Sequence, residues 1–173
     1  MRRRVLRTLE IVPNINQPLG DSGAVRSARL GRDAGADHLG MTLFELPPGQ
    51  ETVFHYHLQR EELLVVIAGT LALRTSDGWR DLPAGEVVSF PHGPDGAHGF
   101  ANRTDELVRV IVISEQNAPN ISVYPDAGEI GIFDAPHQEQ RRFGARFRMA
   151  DAISGYGGAE AKLPFPPLEQ RAG

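Results

Sequence analysis

No cysteine occurs in the 173 residues. Its absence excludes a disulfide framework, a thiolate metal site and a cysteine nucleophile. Lysine is nearly missing as well: arginine outnumbers it 17 to 1, which reads as a trait of genome composition rather than of function. Positive charge is not in excess. The net charge of −4 argues against nucleic acid as a partner. Long apolar runs are also lacking. The longest, Leu63 to Ala68, is far too short to cross a membrane. The basic start, Met1-Arg2-Arg3-Arg4, is not followed by an unbroken apolar stretch, because Arg7 and Glu10 interrupt it. The expectation is a cytoplasmic protein without a membrane or nucleic-acid partner.

What is present is a globular composition, 40% hydrophobic and 23% charged, in a length suited to one domain with extensions. Residues 1–37 carry prolines, glycines and scattered charges and read as an N-terminal arm with at most a short strand. No helix-turn-helix fits there. From His38 to Asp134 apolar and β-branched runs alternate with turn signals. Strands are expected at 38–46, 52–57, 62–68, 70–75, 79–82, 86–90, 97–102, 107–114, 120–124 and 129–133. Ser76-Asp77-Gly78 and Pro125-Asp126-Ala127-Gly128 mark hairpins. Short strands at such regular spacing predict an all-β barrel or sandwich. Residues 135–173 form a C-terminal extension of different character. It reads as a tail packed on the barrel or on a partner subunit, or as a lid with Phe143, Phe147 or Tyr156 as plugs.

The chemistry-bearing residues lie in the middle. His55 and His57 are two apart in the β-prone segment Thr52 to His57, so both side chains leave one face of a strand. A turn at Leu58-Gln59-Arg60 would return Glu62 beside them. His98 comes from a distant stretch and joins only if a sheet or barrel closes. Neutral imidazoles with one carboxylate suit a mid-series divalent metal and leave positions for water or substrate. Taken alone, a histidine pair on a strand is as readily a solvent-facing coincidence, and Glu61-Glu62 a solvated turn. The combination and the glycines around it carry the argument.

Gly49, His55, His57, Glu62 and Gly69 stand at the spacing of the first sequence motif of the cupin superfamily. Gly85, Pro91, Gly93, His98 and Asn102 resemble the second, with four residues rather than two between Gly93 and His98. The insertion falls in a Pro/Gly turn, where extra length is tolerated. The resemblance covers roughly residues 38 to 115. It implies a double-stranded β-helix, the jelly-roll β-barrel of cupins, and one divalent metal ion per subunit (iron, manganese, nickel or zinc) held by His55, His57, Glu62 and His98. Glu61 competes with Glu62 for the carboxylate position, and the six-residue spacing to Gly69 selects Glu62.

Such barrels serve as dioxygenases, decarboxylases, isomerases, storage proteins and sensors, so the fold alone does not choose a function. The three-His, one-Glu set resembles that of cupin dioxygenases such as quercetin dioxygenase, and of oxalate decarboxylases. It implies a metalloenzyme acting on a small oxygenated substrate. Two alternatives stand beside it. One is a non-catalytic metal-containing barrel that binds a small polar ligand. The other is a sugar or sugar-phosphate isomerase, which needs inward-facing cations, with Arg60, Arg74 and Arg109 as candidates. No catalytic acid or base beyond the ligands can be named. His38, His92 and His137 read as surface or half-buried histidines. Phe54 and Tyr56 are expected to pack between sheets, and Phe100 to line the cavity. Small cupins of this kind commonly pair, so the resemblance also implies a homodimer.

Overall fold

The computed structural model describes residues 25–135 and 141–152. Their strands, in chain order, are β1 (Arg26–Ala28), β2 (Leu39–Leu46), β3 (Tyr56–His57), β4 (Glu62–Ala68), β5 (Thr70–Thr75), β6 (Gly78–Pro83), β7 (Val87–Phe90), β8 (Gly99–Ala101), β9 (Val108–Glu115), β10 (Asn120–Tyr124), β11 (Glu129–Phe133) and β12 (Gly144–Arg148). One turn of helix, α1 (Leu30–Ala34), follows β1. The fold is all-β, as expected. None of the helices among the described residues is long and apolar enough to cross a membrane.

The strands form two facing layers. One is a five-stranded antiparallel sheet in the order β1-β2-β9-β4-β7. The other consists of the sheets β12-β11-β10-β3 and β6-β5-β8. An antiparallel bridge between His55 and His98 joins their inner strands. Alternation along β4 shows how the sequence selects its inward face. Glu62, Leu64 and Val66 are buried, while Leu63 and Ile67 are exposed. The inward side chains meet those of the opposite layer in a core that includes Leu46, Leu64, Val66, Leu71, Leu73, Phe90, Phe100, Val108 and Val110. Each such fully buried side chain contributes about 1.5–3 kcal/mol relative to leaving it in water. Phe54, Tyr56, Ala97 and Val123 form a second cluster on the other face of β3. Phe54 and Tyr56 therefore pack as anticipated, and Phe100 sits in the main core, edge-on to Phe44 at 6.0 Å.

Three elements differ from the sequence expectation. The ligand strand expected over 52–57 is regular only at Tyr56–His57, with single bridges at Glu51 and His55. Helix α1 lies in the stretch read as an arm with at most a strand. Leu30 of α1 packs with Ala28, Leu43 and Ile111 against the outer face of the five-stranded sheet. In the C-terminal extension, β12 adds an edge strand to β11 in full register from Glu129↔Arg148 to Phe133↔Gly144. Phe143 and Phe147 remain about half exposed there, at 49% and 47%. Tyr156 and His137 lie outside the described residues.

Candidate metal centre

The four residues singled out by spacing come from three separate stretches of the chain, His55 and His57 from one, Glu62 and His98 from two others, and meet between the layers. His55 and His98 face each other across the bridge, each backbone N–H donating to the other's carbonyl at 2.9 Å. Directly opposed residues on antiparallel strands project side chains to the same face, and the ring centroids stand 4.9 Å apart. His57 follows two positions on, its ring 5.0 Å from that of His55. Glu62 reaches across from the facing sheet as the first inward residue of β4. His55, Glu62 and His98 each offer a ligand atom, all within 4.8 Å of one another. His57 joins through the carboxylate: Nε2 of His57 and Nε2 of His98 are each 3.4 Å from Oε2 of Glu62.

The outer nitrogens of all three rings are held. His55 Nδ1 lies 3.0 Å from the Val53 carbonyl and His98 Nδ1 lies 2.9 Å from the Gly96 carbonyl. A carbonyl only accepts, so each Nδ1 carries the proton and leaves Nε2 with its lone pair. His57 Nδ1 sits 3.1 Å from both Asn120 Oδ1 and Ser122 Oγ. Asn120 and Ser122 are buried polar residues of β10. Tethering the distal ring nitrogen is how metal-binding histidines are oriented and their tautomer fixed. The two 3.4 Å separations at Glu62 fit the same reading. Donors at ~2.1 Å around one ion stand about 3.0–3.4 Å apart, whereas a direct charge-assisted hydrogen bond would draw them to about 2.7–2.9 Å. By donor chemistry, tautomer and spacing, the cluster fits a divalent cation.

Its charge state fits too. Burial, then the neighbouring His98 and His57, lower the His55 pKa to about 3. Burial likewise lowers that of His98. For Glu62, burial pushes the pKa up, but the contact with His57 and the charges of His57, His98 and His55 outweigh it and bring it to about 2. At neutral pH His55 and His98 are neutral and the carboxyl is ionised, the state a metal ligand requires.

Supporting residues complete the centre. Phe90, paired in register with Glu62, lays its ring on that of His98, with centroids 3.8 Å apart and planes 11° apart. Tyr124 stacks on His55 at 6.1 Å. Asn102 ties the loop after β8, its Nδ2 donating to the carbonyls of Leu46 and Glu106 at 2.8 and 2.6 Å. The inserted Pro94–Gly96 segment is a 3-10 turn, and a Cβ at Gly96 would overlap the Pro91 carbonyl. Glu61 is exposed where Glu62 is 8% exposed. His38 and His92 are exposed. Of the candidate cations, Arg74 pairs with Asp126 at 2.5 Å and Arg109 with Glu45 at 2.8 Å, while Arg60 is buried. Phe90, Asn120 and Ser122 were not legible as site residues, since their roles depend on strand pairings distant in sequence.

Residues 42–114 match the Cupin domain family. The chain carries a cupin domain. The chain is similar to a solved sugar phosphate isomerase of the cupin superfamily from Silicibacter pomeroyi, with 27% identity over 77% of this chain and 82% of that one, and a TM-score of 0.67. A putative sugar phosphate isomerase from Acidithiobacillus ferrooxidans also aligns at a TM-score of 0.67, with 25% identity over 75% and 79% of the two chains. The polyketide cyclase RemF from Streptomyces resistomycificus aligns at 0.53, with 25% identity over 66% of this chain and 80% of that one. Comparison with curated proteins gives no match.

Proposed function

We propose that this cupin is a small-molecule metalloenzyme in which His55, His57, Glu62 and His98 hold one divalent ion of iron, manganese, nickel or zinc. The observation that carries this reading is the set of tethered imidazoles with lone pairs turned toward a buried carboxylate. When bound, the ion would supply Lewis-acid chemistry to a small oxygenated substrate, in a dioxygenase-like or decarboxylase-like reaction. The chain's own contribution is to hold the ligands deprotonated and correctly oriented. Phe90 and the surrounding core restrict water beside His98. We place the protein in the cytoplasm, as a homodimer with no nucleic-acid or membrane partner.

A second reading is an isomerase acting on a sugar phosphate. It is favoured by the two similar structures that bear that description. A metal-containing barrel that binds without turnover is the outcome left if no assay gives product.

Elemental analysis of the purified protein, with His55→Ala beside it, tests the centre. About one equivalent of metal is expected in the wild type and a large loss in the variant. Absence of metal in both, after reconstitution with each of the four ions, would sink the metalloenzyme reading. Oxygen uptake, oxalate decarboxylation and aldose–ketose interconversion assays on the loaded protein then separate the reactions.

A further inference from the structure

The metal-centre reading leaves one buried charge unused. Arg60 stands two residues before Glu62 and is 8% exposed. Its guanidinium has five N–H donors and no acceptor. Its Nη2 donates to the Asn117 carbonyl at 3.3 Å, long for a charged donor. Nε is buried and has no hydrogen-bond partner among the described residues. No carboxylate forms an ion pair with it among the described residues. The contrast with other arginines is plain: Arg26 and Arg109 share Glu45, Arg74 holds Asp126 and Arg146 reaches Glu129. The charged groups acting on Arg60 are Glu62 and Glu115, which attract it, and Arg141, which repels it. Of these, Glu62 already faces the imidazoles, and Glu115 is exposed and accepts from the Glu61 backbone at 3.2 Å. A buried cation with an open N–H is destabilising unless something completes it.

A purely structural role does not account for the arrangement. The loop beside Arg60 is already fastened by Asn117 Nδ2, which donates to the Gln59 carbonyl at 2.8 Å. The Nη2 contact would add to that clasp without any need to bury Nε. What Arg60 lacks among the described residues is a negatively charged acceptor of its own, and Glu62, two positions along the chain, is the nearest cluster residue in sequence.

We propose that Arg60 is the anion anchor of this cupin, receiving carboxylate or phosphate oxygens of a ligand whose remaining oxygens reach the metal centre. The proposal rests on the metal-centre reading for the second half of the ligand, and it narrows the substrate class to oxyanions. Both a sugar phosphate and a small carboxylic acid present the required group; a neutral catechol-like substrate does not.

The test uses full-length protein, metal-loaded and metal-free, with inorganic phosphate and malonate as separate probes. Calorimetric affinities are measured for the wild type, Arg60→Lys and Arg60→Gln, with metal content determined for each. The expected result is binding of at least one probe to loaded wild type, at least tenfold weaker in Arg60→Gln at unchanged metal content, and partly restored in Arg60→Lys. The stronger probe tells phosphate from carboxylate. In parallel, wild type labelled with 15N-arginine is titrated; the Arg60 Nε–H signal, assigned by its loss in Arg60→Lys, is expected to shift. Equal affinity in wild type and Arg60→Gln, or an Nε–H signal unmoved at saturating concentrations of both probes, overturns the anchor. If Arg60→Gln fails to fold, the labelled wild type decides. Metal uptake without any anion response removes the anchor and leaves the metal reading. An Nε–H shift in a protein that takes up no metal supports the anchor and sinks the metal reading.

Discussion

Two adjacent glutamates show what a single position decides. Glu61 and Glu62 are chemically the same, yet one faces solvent and the other the barrel interior, because strand side chains alternate. Spacing to Gly69 selects Glu62 in the sequence, and the burial of Glu62 agrees with it. The residues that orient the ligands are a different matter. Asn120 and Ser122 reach His57 only because β10 pairs with β3, Ser122 opposite His57, and no local pattern encodes that register. Asn120→Ala is expected to leave the fold intact and weaken metal affinity about 10–100-fold, measured by competition with a coloured chelator. Unchanged affinity would mean that His57 needs no such support. The buried titratable groups also set an acid limit. In the folded protein His55 titrates near 3 and His98 is lowered too, whereas in the unfolded chain a histidine titrates at about 6.5. The unfolded state therefore binds more protons below that value, and stability falls as pH drops. Glu62, at about 2 against 4.5, adds a loss in the same direction below pH 4.5. The melting temperature of the metal-free protein is expected to start declining near pH 6.5, above the carboxylate range. His55→Gln should make the decline shallower. A flat profile from pH 7 to 5 would contradict the lowered titration of these imidazoles.

Among the elements, hairpins were the most legible. Residues 70–75 before Ser76-Asp77 and the pair 120–124 and 129–133 fall where turn chemistry and β-branched runs put them. The ligand strand was overread. Thr52 to Phe54 have strand-forming side chains, but the backbone pairs only at isolated bridges, because the chain there crosses from Ala101 toward the β3–β10 pair. Helix α1 is one turn with a glycine at its C-terminus, too short for a hydrophobic period to show. β12 alternates apolar and basic residues with both faces largely exposed, a pattern that does not distinguish a tail from an edge strand. Gly69 is a place where motif and backbone agree. Its φ of +78° is a conformation that favours glycine, and a Cβ there would stand 3.0 Å from Val108 Cγ2 and 3.1 Å from the Leu107 carbonyl. Gly69→Ala is expected to cost about 1–3 kcal/mol by the strain of a non-glycine residue in this region. Urea unfolding of the metal-free protein measures it. A loss below 0.5 kcal/mol, on the order of ordinary surface substitutions, would show that the bend after β4 relaxes freely.

At the scale of the whole molecule, the two faces of the five-stranded sheet pose different problems. The inner face closes on the core and carries Glu62 to the histidine cluster. The outer face is covered only in part. At its β2–β9 end, α1 packs Leu30 over Leu43 and Ile111. Toward β4 and β7, Leu63, Ile67 and Val87 stand 39%, 38% and 57% exposed. Register makes these neighbours: Leu63 lies beside Ile113, and Val65 lies between Ile111 and Val87. A stripe of aliphatic side chains on one sheet face is the kind of surface that a symmetric partner buries. A second copy would cover it without disturbing the barrel interior, so assembly and metal binding should separate by mutation. Light scattering of the wild type is expected to give the mass of a dimer. Ile67→Asp should give a monomer whose metal content is unchanged, because Ile67 points away from Glu62 on alternate positions of the same strand. A wild-type monomer at micromolar concentration would contradict the dimer outright. A dimer that survives Ile67→Asp would move the interface elsewhere, with the paired edge at β12 and its exposed Phe147 as the next surface to alter.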